Sequence, residues 1–200
     1  MTFKYFDKPE IFVGLRELET ICDTCGQNKL CYDAESFYGS DDLTSICPDC
    51  LASGLLVERD AFTCSGDIQN LKKQLKLQNP DLADNRIQEI ANDKTIELEK
   101  TTPHLVTWQD WSWPCVDGDY CKFIGYGSKP LYKELAKGEP VEEFFRNSFY
   151  DTGLYNEDLW AGSVPDKSIK NYNDSNQHGT LFYVFKSLNS DKIITIWDCN

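Results

Sequence analysis

Two paired-cysteine turns, Cys22-Asp23-Thr24-Cys25 and Cys47-Pro48-Asp49-Cys50, stand near the start of the chain with twenty-one residues between them. A Cys-x-x-Cys turn presents two sulfurs about 3–4 Å apart, and two such turns complete a tetrahedral four-sulfur site for Zn²⁺, with Zn–S distances near ~2.3 Å. Gly26, directly after the first turn, supplies the backbone freedom with which the chain leaves the metal. The same cysteines are also compatible with buried thiols, two disulfides or a redox pair. A redox pair normally opens a helix after an apolar strand, whereas these pairs lie in polar stretches, Thr20–Asn28 and Ser40–Asp49. Cys22, Cys25, Cys47 and Cys50 are therefore the expected ligands of one structural zinc. With four thiolates bound, the ion keeps no open position for substrate, so it contributes folding free energy and not catalysis.

With 200 residues the chain can bury one substantial core, or one core and a small metal-stapled lobe. A 40 % hydrophobic and 13 % aromatic content is too apolar for disorder. No apolar run approaches the ~20 residues that cross a bilayer. The opening Met1–Asp7 lacks the apolar stretch of a signal peptide, so a reducing cytoplasm is expected, where nine cysteines imply metal more than disulfides.

The net charge is −13, and residues 1–60 carry five Lys/Arg against twelve Asp/Glu, while 101–200 carry nine against fourteen. Holding phosphate backbones needs clustered cations, so nucleic-acid binding is disfavoured despite the knuckles. An acidic surface serves solubility first and docking of a basic partner second.

Helical spacing is clearest over residues 67–100. Ile68, Leu71 and Leu75 mark one stripe, and Ala83, Ile87, Ile90, Ala91 and Leu98 a second, with a break at Asn79-Pro80 and an end before Thr101-Thr102-Pro103. Short extended pieces are expected around Ile11-Phe12-Val13, a strand or hairpin over Leu30–Tyr38, and a helix or strand over Leu51–Val57. Trp108, Trp111 and Trp113 are expected to close the core, Val141–Tyr150 to form an amphipathic helix, and Gly153–Gln177 a long loop anchored by Leu159, Trp160 and Tyr172. Thr180–Phe185 and Lys192–Trp197 read as a hairpin covered on both faces. The fold class is α+β: a four-cysteine zinc-knuckle lobe, residues 1–60, packed as one unit on a mixed helix and β-hairpin core, residues 61–200.

Over nearly its whole length the chain resembles the CbrC family of bacterial proteins. The likeness rests on Phe3-Lys4-Tyr5-Phe6 with Pro9, on Cys22, Cys25 and Gly26, and on Ile46-Cys47-Pro48 followed by Cys50-Leu51-Ala52 and Gly54. It continues through Thr102-Pro103, Trp108-Gln109, Cys115, Cys121 and Phe123-Ile124-Gly125. The resemblance implies a bacterial cytosolic metal-binding protein linked to tolerance of toxins. It also implies a further cysteine pair after an aromatic strand, where this chain has Lys186-Ser187-Leu188-Asn189-Ser190. Pro114 stands where a His often precedes the first mid-chain Cys, and the gap from Trp108 to Cys115 is shortened. One metal is thus expected, with Cys115 and Cys121 free or disulfide-bonded.

Catalytic signatures are weak. His104 and His178 lie outside any triad or phosphate-binding motif, and Glu142-Glu143 and Glu157-Asp158 are sequence neighbours that do not face each other on a helix. The expectation is a non-enzymatic interaction protein that binds and neutralises a protein toxin, a basic nuclease being the case considered. The alternative is an enzyme or a small-molecule or thiol sensor using the stretch from Trp108 to Cys121. Cys31, Cys64 and Cys199 are expected to be inert thiols.

Overall fold

The computed structural model describes residues 2–200. The chain opens with a four-residue helix α1 (Pro9–Phe12) where extended structure was expected; Pro9 at the first helical position pre-sets φ and starts the turn. Two-residue strands follow: β1 (Thr20–Ile21) pairs with β2 (Asn28–Lys29), while β3 (Tyr32–Asp33) and β4 (Tyr38–Gly39) find more distant partners. Thus β3 pairs with β5 (Ser45–Ile46), and after α2 (Pro48–Ala52) and a 3₁₀ turn at Leu55–Glu58, β6 (Ala61–Phe62) pairs back with β4. Leu30–Tyr38 therefore supplies strands but no local hairpin. A Cβ on Gly39, which sits at φ +115°, would fall 2.0 Å from the Asp60 carbonyl oxygen, so only glycine permits the β4–β6 closure.

Helices α3 (Ile68–Gln78) and α4 (Asp84–Thr101) bury the anticipated stripes, Leu71 and Leu75 on one, Ile87, Ala91 and Leu98 on the other. The boundary differs in detail. Asn79 ends α3 by donating its side-chain amide to the Leu75 carbonyl, and α4 begins only at Asp84, after the Pro80 turn. Asp67 caps α3 through the Asn70 N–H at 3.1 Å.

Beyond the tryptophans, β7 (Cys115–Val116) and β8 (Asp119–Tyr120) form a tight hairpin, and β9 (Lys122–Tyr126) leads to α5 (Lys129–Leu135) and α6 (Val141–Asn147). The segment expected as loop holds α7 (Asp158–Gly162) and α8 (Tyr172–Ser175), with Leu159 buried as foreseen. The chain ends in the anticipated hairpin, β10 (Thr180–Lys186) and β11 (Ile193–Cys199), which β9 extends to an antiparallel sheet of order β11-β10-β9.

The central strand β10 explains why its sequence is apolar throughout. Leu181, Tyr183 and Phe185 face the larger core, shared with Phe6, Trp113 and Phe123. Phe182 and Val184, of opposite parity, face a smaller one with Tyr132, Phe145, Phe149 and Leu159. Trp113 is 1 % exposed, and its ring stands 5.1 Å from that of Phe185 and 6.5 Å from that of Phe6. An aromatic of this kind buries about 150–250 Å², worth roughly 4–6 kcal/mol as an upper figure. The same core runs on without a break to Cys22, Cys47 and Cys50 beside the metal-binding turns. The N-terminal segment adds backbone hydrogen bonds along β9, with Phe123 N–H donating to the Tyr5 carbonyl and Asp7 N–H to that of Phe123.

Candidate functional site

The two Cys-x-x-Cys turns meet at one point. The sulfurs of Cys22, Cys25, Cys47 and Cys50 all lie within 4.8 Å of one another, an arrangement compatible with a metal site. Local backbone sets each pair. After Cys22, Gly26 N–H donates to the Cys22 carbonyl at 2.8 Å, and φ of +69° at Gly26 turns the chain back so that Cys22 N–H reaches the Gln27 carbonyl. After Cys47, Pro48 opens α2, whose first turn carries Cys50 back toward the first pair. Asp23 buckles the two turns together: its Oδ2 accepts from Thr44 N–H at 2.7 Å and Ser45 N–H at 2.9 Å. Arg59 donates to the Asp23 carbonyl, and Lys29 bridges to Asp49 at 2.9 Å.

Burial alone would raise the Cys22 thiol, but N–H groups of Cys47, Cys25 and Thr24 aimed at its sulfur outweigh it and lower the pKa to about 6. Burial raises the Cys47 and Cys50 thiols. A cation held by the four sulfurs would need all of them as thiolates, and its binding would release the remaining thiol protons to solvent. Cys25 is the exposed member of the four. Cys31 lies close by, buried, with its thiol pushed up to about 11 by burial and by the neighbouring sulfurs, and it stands outside the four-sulfur group.

Cys115 and Cys121 are not disulfide-bonded; both are free and buried. Burial pushes their thiols up to about 11 and about 12. Cys115 Sγ sits 3.5 Å from both the Asp67 carbonyl and the Tyr150 hydroxyl. These are fully protonated thiols at neutral pH, the opposite of what an activated nucleophile needs. Cys64 is held up by burial in the same way. His104 packs its Nδ1 2.7 Å from the Thr63 carbonyl, in a loop, and burial lowers its pKa. Glu142 and Glu143 point to solvent on the first turn of α6.

Around the tryptophans the surface is concave on two sides. A cleft of about 370 Å³ is lined by Tyr38, Cys64, Asp110 and Trp113, and another of about 530 Å³ by Asp67, Lys73, Tyr150, Asp151 and Trp197, with Trp111 and Ser112 shared between them. Trp111 is pinned there by Asp198, which accepts from its indole N–H at 3.4 Å and from Trp108 N–H at 3.1 Å. Neither cleft was legible from the sequence, because their walls come from segments far apart along it.

Residues 1–199 match the model of the Uncharacterised protein family (UPF0167). The chain belongs to this family. No curated protein and no solved structure matches it. Nearly the whole chain falls within the UPF0167 match, so the cysteine turns, the tryptophan segment and the terminal sheet are all parts of one family unit. No described helix is long and apolar enough to cross a membrane.

Proposed function

We propose that this chain is a zinc-stabilised bacterial recognition protein of the cytoplasm that binds and neutralises a basic protein toxin. The observation that carries the reading is exposed acidity: along residues 139–158, Glu139, Glu142, Glu143, Asp151, Glu157 and Asp158 are all exposed, with Arg146 the one cation of that stretch and Lys137 and Lys186 flanking Glu139. Exposed acidity of this kind steers a cationic partner and makes association fast and salt-sensitive. The metal in this reading is Zn²⁺, held by Cys22, Cys25, Cys47 and Cys50, because four sulfurs and no oxygen donor suit zinc and leave it closed to substrate. Its role is to hold the N-terminal lobe in shape. The resemblance to the CbrC family supplies the toxin setting. The alternative of an activated thiol between Trp108 and Cys121 loses support from the raised pKa values of Cys115 and Cys121.

The test is calorimetry between the zinc-loaded protein and the polypeptide encoded immediately upstream of its gene, at low and at physiological salt. The reading expects saturable binding that weakens as salt rises. Absence of binding at low salt overturns it.

A further inference from the structure

We infer that the cleft of about 530 Å³ between α3 and the 149–154 segment is a docking pocket for an arginine side chain of a basic partner protein. The inference rests on the reading above and locates its contact. Three walls build the pocket. The first turns of α3 supply Asp67, Asn70 and Lys73; the sheet supplies Thr195 and Trp197; Trp111, Tyr150, Asp151 and Leu154 close the rest.

The walls are ordered before any ligand arrives. Tyr150 donates its hydroxyl to Asp67 Oδ2 at 2.9 Å while Asn70 donates to that hydroxyl. Trp197 donates its indole N–H to the Leu154 carbonyl at 3.1 Å, and Asp151 Oδ1 accepts from Gly153 N–H at 2.9 Å. Pre-set side chains cost little entropy on binding.

The chemistry selects a flat cation. Trp111, Tyr150 and Trp197 line the cleft with aromatic rings, a residue type that attracts a guanidinium, and Asp67 and Asp151 add carboxylates it can pair with. Lys73 is the one cation in the lining; it is exposed and makes no ion pair among the described residues, so it stands free at the lip to meet an acidic neighbour of the arginine or to repel a second cation. Leu154, 53 % exposed, gives the rim an apolar contact, and the acidic residues 139–158 run into this same rim at Asp151. Arginine, with tryptophan and tyrosine, is enriched among the residues that dominate interface energetics.

The test uses Nα-acetyl-arginine amide as probe, with Nα-acetyl-norleucine amide as the neutral control, read by the indole N–H signals in ¹H–¹⁵N spectra of the full chain. Saturable shifts with the arginine probe, half-complete on the order of millimolar, are expected, as is weakening by roughly threefold in Asp151→Asn and tenfold in Asp67→Asn/Asp151→Asn. The asparagines keep one oxygen each for the N–H groups of Asn70 and Gly153, but Asp67→Asn gives up the oxygen that accepts from the Tyr150 hydroxyl, so Asp151→Asn, at an exposed site, stands as the second variant that leaves the walls intact. Lys73→Gln is expected to tighten the probe. Equal shifts with the norleucine probe, or binding indifferent to both aspartates, overturn the pocket. A protein partner bound with unchanged strength by Asp67→Asn/Asp151→Asn removes the pocket and leaves the toxin-binding reading standing. Arginine-probe binding without any protein partner does the reverse.

Discussion

The backbone N–H of Cys47 donates to the sulfur of Cys22 across 3.3 Å, so the second cysteine turn is hydrogen-bonded to a ligand of the first. A sulfur that accepts backbone hydrogen bonds and also binds a cation is fixed in direction twice. Around it, β1 to β5 are each two residues long, far below the length at which a strand pair stands alone. On the zinc reading, a bound cation does for the lobe what a longer ladder would do. Removing zinc with a chelator is therefore expected to lower the melting temperature by about 10 °C or more, the shift expected for loss of a few kcal/mol from a domain of this size. Circular-dichroism melts with and without chelator check this; a shift under about 2 °C contradicts it.

Asp119 is 7 % exposed and gathers the N-terminus, α4 and β8 at one carboxylate. The Tyr5 hydroxyl lies 3.0 Å from its Oδ1, and Lys94 Nζ lies 2.5 Å from its Oδ2, with Lys4 at 3.6 Å. Asp119→Ala would leave the largely enclosed Lys94 ammonium without its partner and the Tyr5 hydroxyl with Glu97 alone. The expected cost is about 2–4 kcal/mol, read as a lowered urea midpoint with an unchanged slope. Asp191→Ala, which breaks the surface pair with Lys186, is expected to cost under about 1 kcal/mol.

Stability should respond to pH through Asp198, which is 1 % exposed. Burial raises its pKa above the ordinary carboxylate value, against the hydrogen bonds from Trp108 N–H, the Tyr183 hydroxyl and the Trp111 indole. Between the unfolded value near ~3.9 and the higher folded one, the native state binds more protons than the unfolded chain. The contribution is thus fully present below the unfolded pKa and is lost as pH rises through the folded one. Comparing wild type with Asp198→Asn from about pH 4 to 7 should show wild type losing ground as pH rises. A pH-independent difference contradicts the assignment.

Thiol labelling separates the core cysteines from an activated site. With pKa values near 11 and 12 and no exposed surface, Cys115 and Cys121 should alkylate at least about 100-fold more slowly in the native protein than in denatured chain at neutral pH. Mass mapping after iodoacetamide decides it, and rapid native labelling of either would restore the thiol-site alternative.

What the sequence made legible follows from range. The cysteine turns carry their chemistry within four residues each, and α3, α4 and α6 announce themselves by a local period. The β10–β11 hairpin is visible because its strands are adjacent and apolar, and its double coverage is explained by Leu181 and Tyr183 facing one core and Phe182 and Val184 the other. By contrast β9, with Gly125 inside it, reads weakly as a strand, and its pairing with β10 spans some sixty residues of chain. The β3–β5 and β4–β6 pairs are too short for any periodicity. In the stretch expected as loop, α7 and α8 have four or five residues each and depend on caps such as Asn171, which accepts from Asp174 N–H, more than on an apolar stripe. The candidate metal ligands were legible; the 530 Å³ cleft, assembled from residues 67 to 197, was not.

The central claim is that Cys22, Cys25, Cys47 and Cys50 close around one zinc ion and so hold the N-terminal lobe against the core. X-ray absorption at the zinc edge of the purified protein tests it most directly. The account predicts one zinc per chain with four sulfur neighbours near ~2.3 Å and no oxygen or nitrogen in the first coordination sphere. A zinc with a water or imidazole neighbour, or a chain that purifies without metal and melts as sharply as the loaded form, would contradict it.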